Sequence, residues 1–186
     1  ALALQHGVAF HTKERVTAIQ NRNNRVVGLQ TEKGSYNFDI VVSNMDVHYT
    51  YEKLLPYLKA PRFLLQQEKS SSAVVFYWGI NRTFDELGVH NIFFAADYQA
   101  EFKAIFQTKT LHPDPTVYIH ISSKVEKDDA PEGKENWFVM VNAPINVGQD
   151  WDTEIQLLRT RILEKLSLSL KTDIEPLIEV EQINEP

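Results

Sequence analysis

The side chains best suited to chemistry in this 186-residue chain are few and scattered. Asp128 and Asp129 stand together, and two carboxylates buried side by side would push one pKa upward and furnish an acid–base pair. They fall in the charged run from Lys124 to Lys134, which also holds Pro131 and Gly133. Loops of that composition lie at the surface, so a solvated acidic turn is the simpler reading. The six histidines, at 6, 11, 48, 90, 112 and 120, show no paired helical spacing with a neighbouring carboxylate, and no metal site is expected. Ser70-Ser71-Ser72 lacks the flanking glycines of a nucleophile elbow. Seven glycines are spread singly, with neither GxGxxG nor a P-loop to cradle a phosphate, and there is no cysteine to act as nucleophile, ligand or disulfide.

Composition removes further classes. A net charge of -6 without a dense Lys/Arg run offers nothing to a nucleic-acid backbone. The 43% hydrophobic, 11% aromatic and 24% charged residues are those of a globular chain rather than a disordered one. No apolar run approaches the roughly 18–20 residues that span a bilayer, and no signal-peptide pattern opens the chain. Asn81-Arg82-Thr83 matches a glycosylation sequon, a pattern short enough to arise by chance. The absence of cysteine fits a reducing cytoplasm.

The elements that must position any site follow from periodicity. Ala1 to Gly7 reads as the last turn of a helix, closed by Gly7, and suggests a piece of something larger. Val8–Gln20, Arg25–Glu32 and Ser35–Ser43 read as strands of a meander divided by Asn21–Asn24 and by Lys33-Gly34. The third ends in the apolar run Phe38–Asn44, which looks like a strand buried on both faces that rejoins a parallel sheet not contained here. A helix capped by Asn44 or Asp46 should run to Leu55, before Pro56. Farther on, Ser72–Asn81, His90–Ala96, Thr116–Ser123, Asn136–Ala143 and Ile174–Ile183 read as strands. Tyr98–Phe106 and Trp151–Leu170 have helical spacing, the latter with Asp150 and Asp152 at its start. The expected fold class is α+β, a mixed and largely antiparallel sheet with flanking helices plus a three-stranded meander.

Particular strings are more informative than these patterns. Gly7–Thr12, Val16–Ile19, Arg25–Leu29 and Asp39–Asp46 look like the meander of many FAD oxidoreductases. Ser70–Ile80, His90–Phe94, Asp97-Tyr98, Glu101-Phe102, Asp114–His120, Ala130–Gly133 and Asn136–Pro144 follow in an order and spacing that resemble the central region of bacterial-type phytoene dehydrogenases and other carotenoid desaturases, within the flavin amine oxidase-like superfamily.

That resemblance implies several expectations. Residues 1–46 would be part of an FAD-binding domain and 47–186 a substrate-binding domain. The backbone at Val16 would meet the adenine, and Ser43, Asn44 and Met45 would lie near the flavin. The Gly-rich segment of the family is missing, so this stretch alone is expected to bind FAD poorly and to be inactive. The reaction would oxidise C–C single bonds of a polyene to double bonds, with quinone or oxygen as final acceptor, and the cofactor carries the hard chemistry. Such a site needs an elongated apolar channel. Phe76, Trp78, Phe93, Phe94, Tyr118, Trp137 and Met140 are the candidates to line it, though aromatics alternating on a strand are more often plain core than ligand lining. Val74, Phe76, Trp78 and Ile80 point one way from their strand and Ala73, Val75 and Tyr77 the other, so both faces are apolar and need cover. His120, beside Tyr118, reads as a proton relay or, more simply, a hydrogen-bonded structural histidine. Expected partners are an apolar carotenoid and a membrane surface touched peripherally, with Leu54–Leu65 a weak anchor. A carotenoid cis/trans isomerase of the same architecture and a noncatalytic apolar-ligand carrier stand as alternatives.

Overall fold

The computed structural model describes residues 2–186, without the side chains of Leu64 and Leu65, so the helix end at Ala1–Gly7 and the stretch Leu54–Leu65 are described only in part. The chain divides into two compact units, one up to Glu68 and one from Lys69 to Pro186. The division falls later than residue 46. The segments after Asp46 are tied back to the meander, and the Tyr57 hydroxyl donates to the Ile19 carbonyl.

The first unit opens with a single helical turn, α1 (Leu2–Gln5), followed by an antiparallel meander of β1 (Val16–Arg22), β2 (Arg25–Thr31) and β3 (Ser35–Asn37). The β1–β2 turn rests on Asn23 and Asn24, both at positive φ, the geometry that a two-residue hairpin of right-handed twist demands. β1 starts at Val16 rather than Val8 because Lys13 at φ 53° interrupts the extended chain ahead of it. A second departure lies at residues 38–44, which form no strand. The Phe38 amide still donates to the Val27 carbonyl of β2 at 3.1 Å, but beyond it no strand among the described residues pairs with this run, and Ile40 and Val42 are left 80% and 88% exposed. Next come α2 (Val47–Tyr49), capped by the Asp46 carboxylate on the His48 amide at 2.8 Å, and a π-helical turn over Thr50–Leu54. A short α3 (Arg62–Leu65) follows.

The second unit is a five-stranded sheet backed by one long helix. β4 (Ser72–Ile80), β5 (His90–Phe93), β6 (Val117–His120), β7 (Glu135–Ala143) and β8 (Ile178–Asn184) lie in the order β5-β6-β7-β4-β8, and every pairing is antiparallel. α4 (Tyr98–Lys103) leads from β5 into a π-helical turn at Ala104–Thr108. α5 (Trp151–Leu170) has the limits that its three-and-four apolar spacing predicts. The Asp150 side chain accepts from the Thr153 amide at its start, and Lys171 in the left-handed region ends it.

α5 turns Ile155, Leu158, Ile162 and Leu166 onto one face of the sheet, where Val74, Phe76, Trp78 and Ile80 of β4 meet Trp137, Val139 and Val141 of β7 and Val117 and Ile119 of β6. Trp151 Nε1 has no hydrogen-bond partner among the described residues, but other polar atoms of this core are partnered. The Trp78 indole donates to Glu181 at 2.5 Å, and Arg159 holds that carboxylate at 2.9 Å. Buried Glu135 accepts from Trp137 Nε1 (2.8 Å), the Phe84 amide (3.0 Å) and Lys124 Nζ (2.6 Å). Such a carboxylate is kept because both of its oxygens are met by donors.

Candidate functional site

Two surfaces, one in each unit, gather part of the residues singled out from sequence. In the first unit, Val16, Ser43, Asn44 and Met45 come together on one open cleft of about 710 Å³. Its floor is apolar, built from Val16, Ile19 and Leu29 of the hairpin and from Val41, Met45 and Leu54. Polar groups stand at its margin: Arg15, Glu32, Lys53 and the Ser43-Asn44 pair. Local bonds hold the 43–50 loop in place. Ser43 Oγ lies 2.9 Å from Thr50 Oγ1, the Met45 amide donates to Ser43 Oγ at 3.3 Å, and Thr50 Oγ1 donates to the Met45 carbonyl at 3.2 Å. An apolar-lined cleft with an amide, a hydroxyl, two cations and the Glu32 carboxylate among its lining suits a heteroaromatic ring with polar edges.

Beside it, at the open end of the same hairpin, Glu14 accepts from Thr31 Oγ1 at 2.7 Å and from the Tyr36 hydroxyl at 2.8 Å. The Thr31 hydrogen bond is the largest influence holding the Glu14 pKa below its usual value, followed by Tyr36 and, more weakly, Lys33. Tyr36 is raised in turn by bonding to that carboxylate. This cluster organises the hairpin.

In the second unit the strand pairing decides which aromatics are free. Phe76, Trp78 and Trp137 lie on the face covered by α5, each no more than 1% exposed, so they are core rather than wall. The reason is parity: they share a side with Val74, Val139 and Val117, and the amphipathic helix covers that side. Phe93 also packs against this core, half-buried. Tyr118, His120 and Met140 stand half-exposed on the other face, which no element among the described residues covers, and Phe94, just past the end of β5, is exposed.

On that open face the register aligns residues in rows. His90, His120, Phe138, Tyr77 and Gln182 are directly opposed across all five strands. Ile92, Tyr118, Met140, Val75 and Asn184 form the adjacent row. Tyr77 and Phe138 meet edge to face at 5.5 Å, and Tyr118 meets Phe138 in the same way at 6.4 Å. His90 Nδ1 lies 2.8 Å from the Tyr118 hydroxyl, and the His90 and His120 rings stack at 5.0 Å. His120 is therefore not the hydrogen-bonded structural histidine expected from sequence; its ring nitrogens find no partner among the described residues. Tyr77, His90 and Phe138 share this face and are not singled out as site residues by the sequence. Strand alternation relative to Tyr118 and Met140 carries the signal for them, but only once the pairing partners are known.

Asp128 and Asp129 are exposed on a 3₁₀ turn, Lys127–Asp129, and Asp129 accepts from the Ser122 hydroxyl. No group of His, Cys, Asp and Glu suited to a metal ion occurs among the described residues. No helix there is long and apolar enough to cross a membrane.

No protein-family model matches the chain. Individual relatives do. The chain is 49% identical over 185 residues to a 1-hydroxycarotenoid 3,4-desaturase from Flavobacterium sp. (strain P99-3), an alignment that takes in 100% of this chain and 38% of that protein. It is 34% identical to a phytoene desaturase from Fusarium fujikuroi, over 80% of this chain and 30% of the relative. A 4,4'-diaponeurosporene oxygenase from Staphylococcus haemolyticus is also 34% identical, over 100% of this chain and 38% of its own length. In fold, the chain resembles an oxidoreductase from Methanosarcina mazei (TM-score 0.55, 13% identity, 95% of this chain and 38% of that one). A Pyrococcus furiosus protein gives a TM-score of 0.54 at 17% identity, over 93% of this chain and 37% of that one. The chain is thus similar, along most or all of its length, to proteins named as carotenoid desaturases, and it spans under two-fifths of the length of these relatives.

Proposed function

We propose that the full-length protein carrying this chain is an FAD-dependent oxidoreductase that converts C–C single bonds of a carotenoid into double bonds. The 49% identity to a desaturase along the whole chain carries the reading. The open aromatic face of the second unit supports it, because a rod-like polyene needs a long apolar surface more than a charged catalytic side chain.

The first unit then belongs to the FAD-binding part of the protein. Val16 would back the adenine, and Ser43, Asn44 and Met45 would approach the flavin end, in keeping with their shared cleft. When bound, FAD supplies the two-electron acceptor. The chain's own residues act by placement. Tyr77, Phe138 and Met140 offer a broad apolar bed on which a polyene is held and shielded from water. The second unit is accordingly the substrate-binding part, and Phe94, Tyr118 and His120 extend its contact surface. Because a carotenoid partitions into lipid, we place the protein in the cytoplasm with peripheral membrane contact.

Expression of the full-length protein in a carotenoid-accumulating host tests this reading. Pigments whose absorption moves to longer wavelength with two fewer hydrogens per step are the expected result. A changed cis/trans pattern at constant bond count would point instead to an isomerase, and bound but unaltered pigment to a carrier.

A further inference from the structure

The segment that leaves β5 is amphipathic in an inverted sense: its carboxylate is inside and its aromatic rings are outside. Glu101 is buried, and its two oxygens accept from the Thr116 amide at 2.8 Å and the Thr116 hydroxyl at 2.6 Å. Ile105, four residues on, is buried as well. These two anchors fix the rotation of α4 and of the π-helical turn after it, so Tyr98 and Phe102 are turned outward and left exposed.

Phe94, Tyr98, Phe102 and Phe106 form a ladder, with successive ring centroids 6.1, 4.7 and 5.7 Å apart. The π-helical turn keeps the last ring in line, because its wider i→i+5 winding offsets the drift of a four-residue step against about 3.6 residues per turn. By strand alternation Phe94 continues the side of Ile92, whose row on the open face of the sheet also holds Tyr118 and Met140. The ladder therefore leads off the same face as the aromatic bed.

Charge on this segment is sorted too. Of its two acids, Glu101 is internal and Asp97 caps α4, accepting from the Ala100 amide at 2.9 Å. Lys103 and Lys109, at the far end, form no ion pair among the described residues, so the segment is locally cationic in a chain of net charge -6. Exposed aromatics bordered by lysines match the boundary of a bilayer, apolar below and anionic at the headgroups. A twofold contact with a second copy would instead set the same patch against itself, lysines included.

We propose that Phe94, Tyr98, Phe102 and Phe106, with Lys103 and Lys109, are the surface that seats the protein on an anionic lipid bilayer and passes the carotenoid from lipid to the open face of the sheet. The assignment rests on the carotenoid reading above and deepens it, naming the element that touches the membrane and the route the substrate takes.

The test uses the full-length protein and vesicles of phosphatidylcholine with and without phosphatidylglycerol. Co-sedimentation with vesicles is measured, and so is turnover of a carotenoid supplied either in the vesicles or in detergent micelles. Tyr98→Ser with Phe102→Ser should lower vesicle binding at least tenfold, on the order expected when two apolar side chains leave the interface. Lys103→Gln with Lys109→Gln should lower it about fivefold per lysine on anionic vesicles and leave neutral ones unaffected. Both variants should lose turnover of the vesicle-held carotenoid in proportion and keep turnover of the micellar one. Undiminished vesicle binding in the aromatic variant overturns the proposal. So does equal loss of turnover in both preparations, or a lowered melting temperature, which would mean that other parts of the protein cover the ladder. A dimer that dissociates in that variant, with no vesicle binding by wild type, overturns it in favour of a second copy. If wild type turns over neither preparation, the carotenoid reading fails, while vesicle binding still decides the bilayer assignment.

Discussion

Phe76 and Tyr77 are consecutive residues with opposite fates: Phe76 is 0% exposed against α5, and Tyr77 is 41% exposed on the open face of the same strand. Their substitutions should therefore separate stability from binding. Phe76→Ala is expected to cost about 3–5 kcal/mol in urea unfolding, since it empties a packed core position. Tyr77→Ala should change stability by less than about 1 kcal/mol and weaken carotenoid binding instead. Equal destabilisation by both would mean that the open face is covered by something that makes it core.

Gly28 is required by the close approach of β3. A Cβ at this position would lie 2.0 Å from the Tyr36 carbonyl oxygen, and that oxygen is backbone, which cannot swing aside. Gly28→Ala should cost about 3 kcal/mol or more and should raise amide hydrogen exchange at Gln30 and Ser35, which pair across β2 and β3.

Filling the cleft of the first unit should expel the flavin without unfolding the meander. Val16→Trp places a bulky ring on its apolar floor. In the full-length protein the expected result is at least a tenfold loss in the flavin absorbance that survives gel filtration, with far-ultraviolet circular dichroism unchanged. Full retention of flavin would show that the cleft is not its site.

Acid should loosen both units. Glu14 is held below the ordinary carboxylate range mainly by its hydrogen bond from Thr31. Asp114 is lowered chiefly by the Ala96 amide and next by Lys165, which reaches it from α5 at 2.7 Å. A carboxyl whose pKa is depressed by folding binds fewer protons in the folded state. Its contribution is complete above about pH 4–4.5, the unfolded value, and is lost as the pH falls through the folded one. Melting temperature should thus be level from pH 7 to about 5 and fall below about 4. Asp114→Asn should flatten part of that fall; an unchanged acid profile in this variant would remove Asp114 from the account.

Local signals in the sequence determined much of this molecule. Asn23-Asn24 dictated a tight hairpin because both residues tolerate positive φ, and the three-and-four spacing from Trp151 to Leu170, with Asp150 ahead of it, set both ends of α5. The strings around Ser70–Ile80 and Asn136–Pro144 were enough to point to carotenoid desaturases, because they record residue identity rather than geometry. What only the tertiary structure decided was sidedness. β4 is apolar on both faces, and alternation alone cannot say which face a helix covers. Antiparallel pairing of β4 with β7, and of β7 with β6, placed Phe76, Trp78 and Trp137 together beneath α5. The same pairing lined up Tyr77, Phe138, His120 and His90 on the other side. The run from Phe38 to Asn44 failed as a strand for a related reason: strand propensity is realised only when a neighbour supplies hydrogen bonds, and no residue pattern within the segment can provide one.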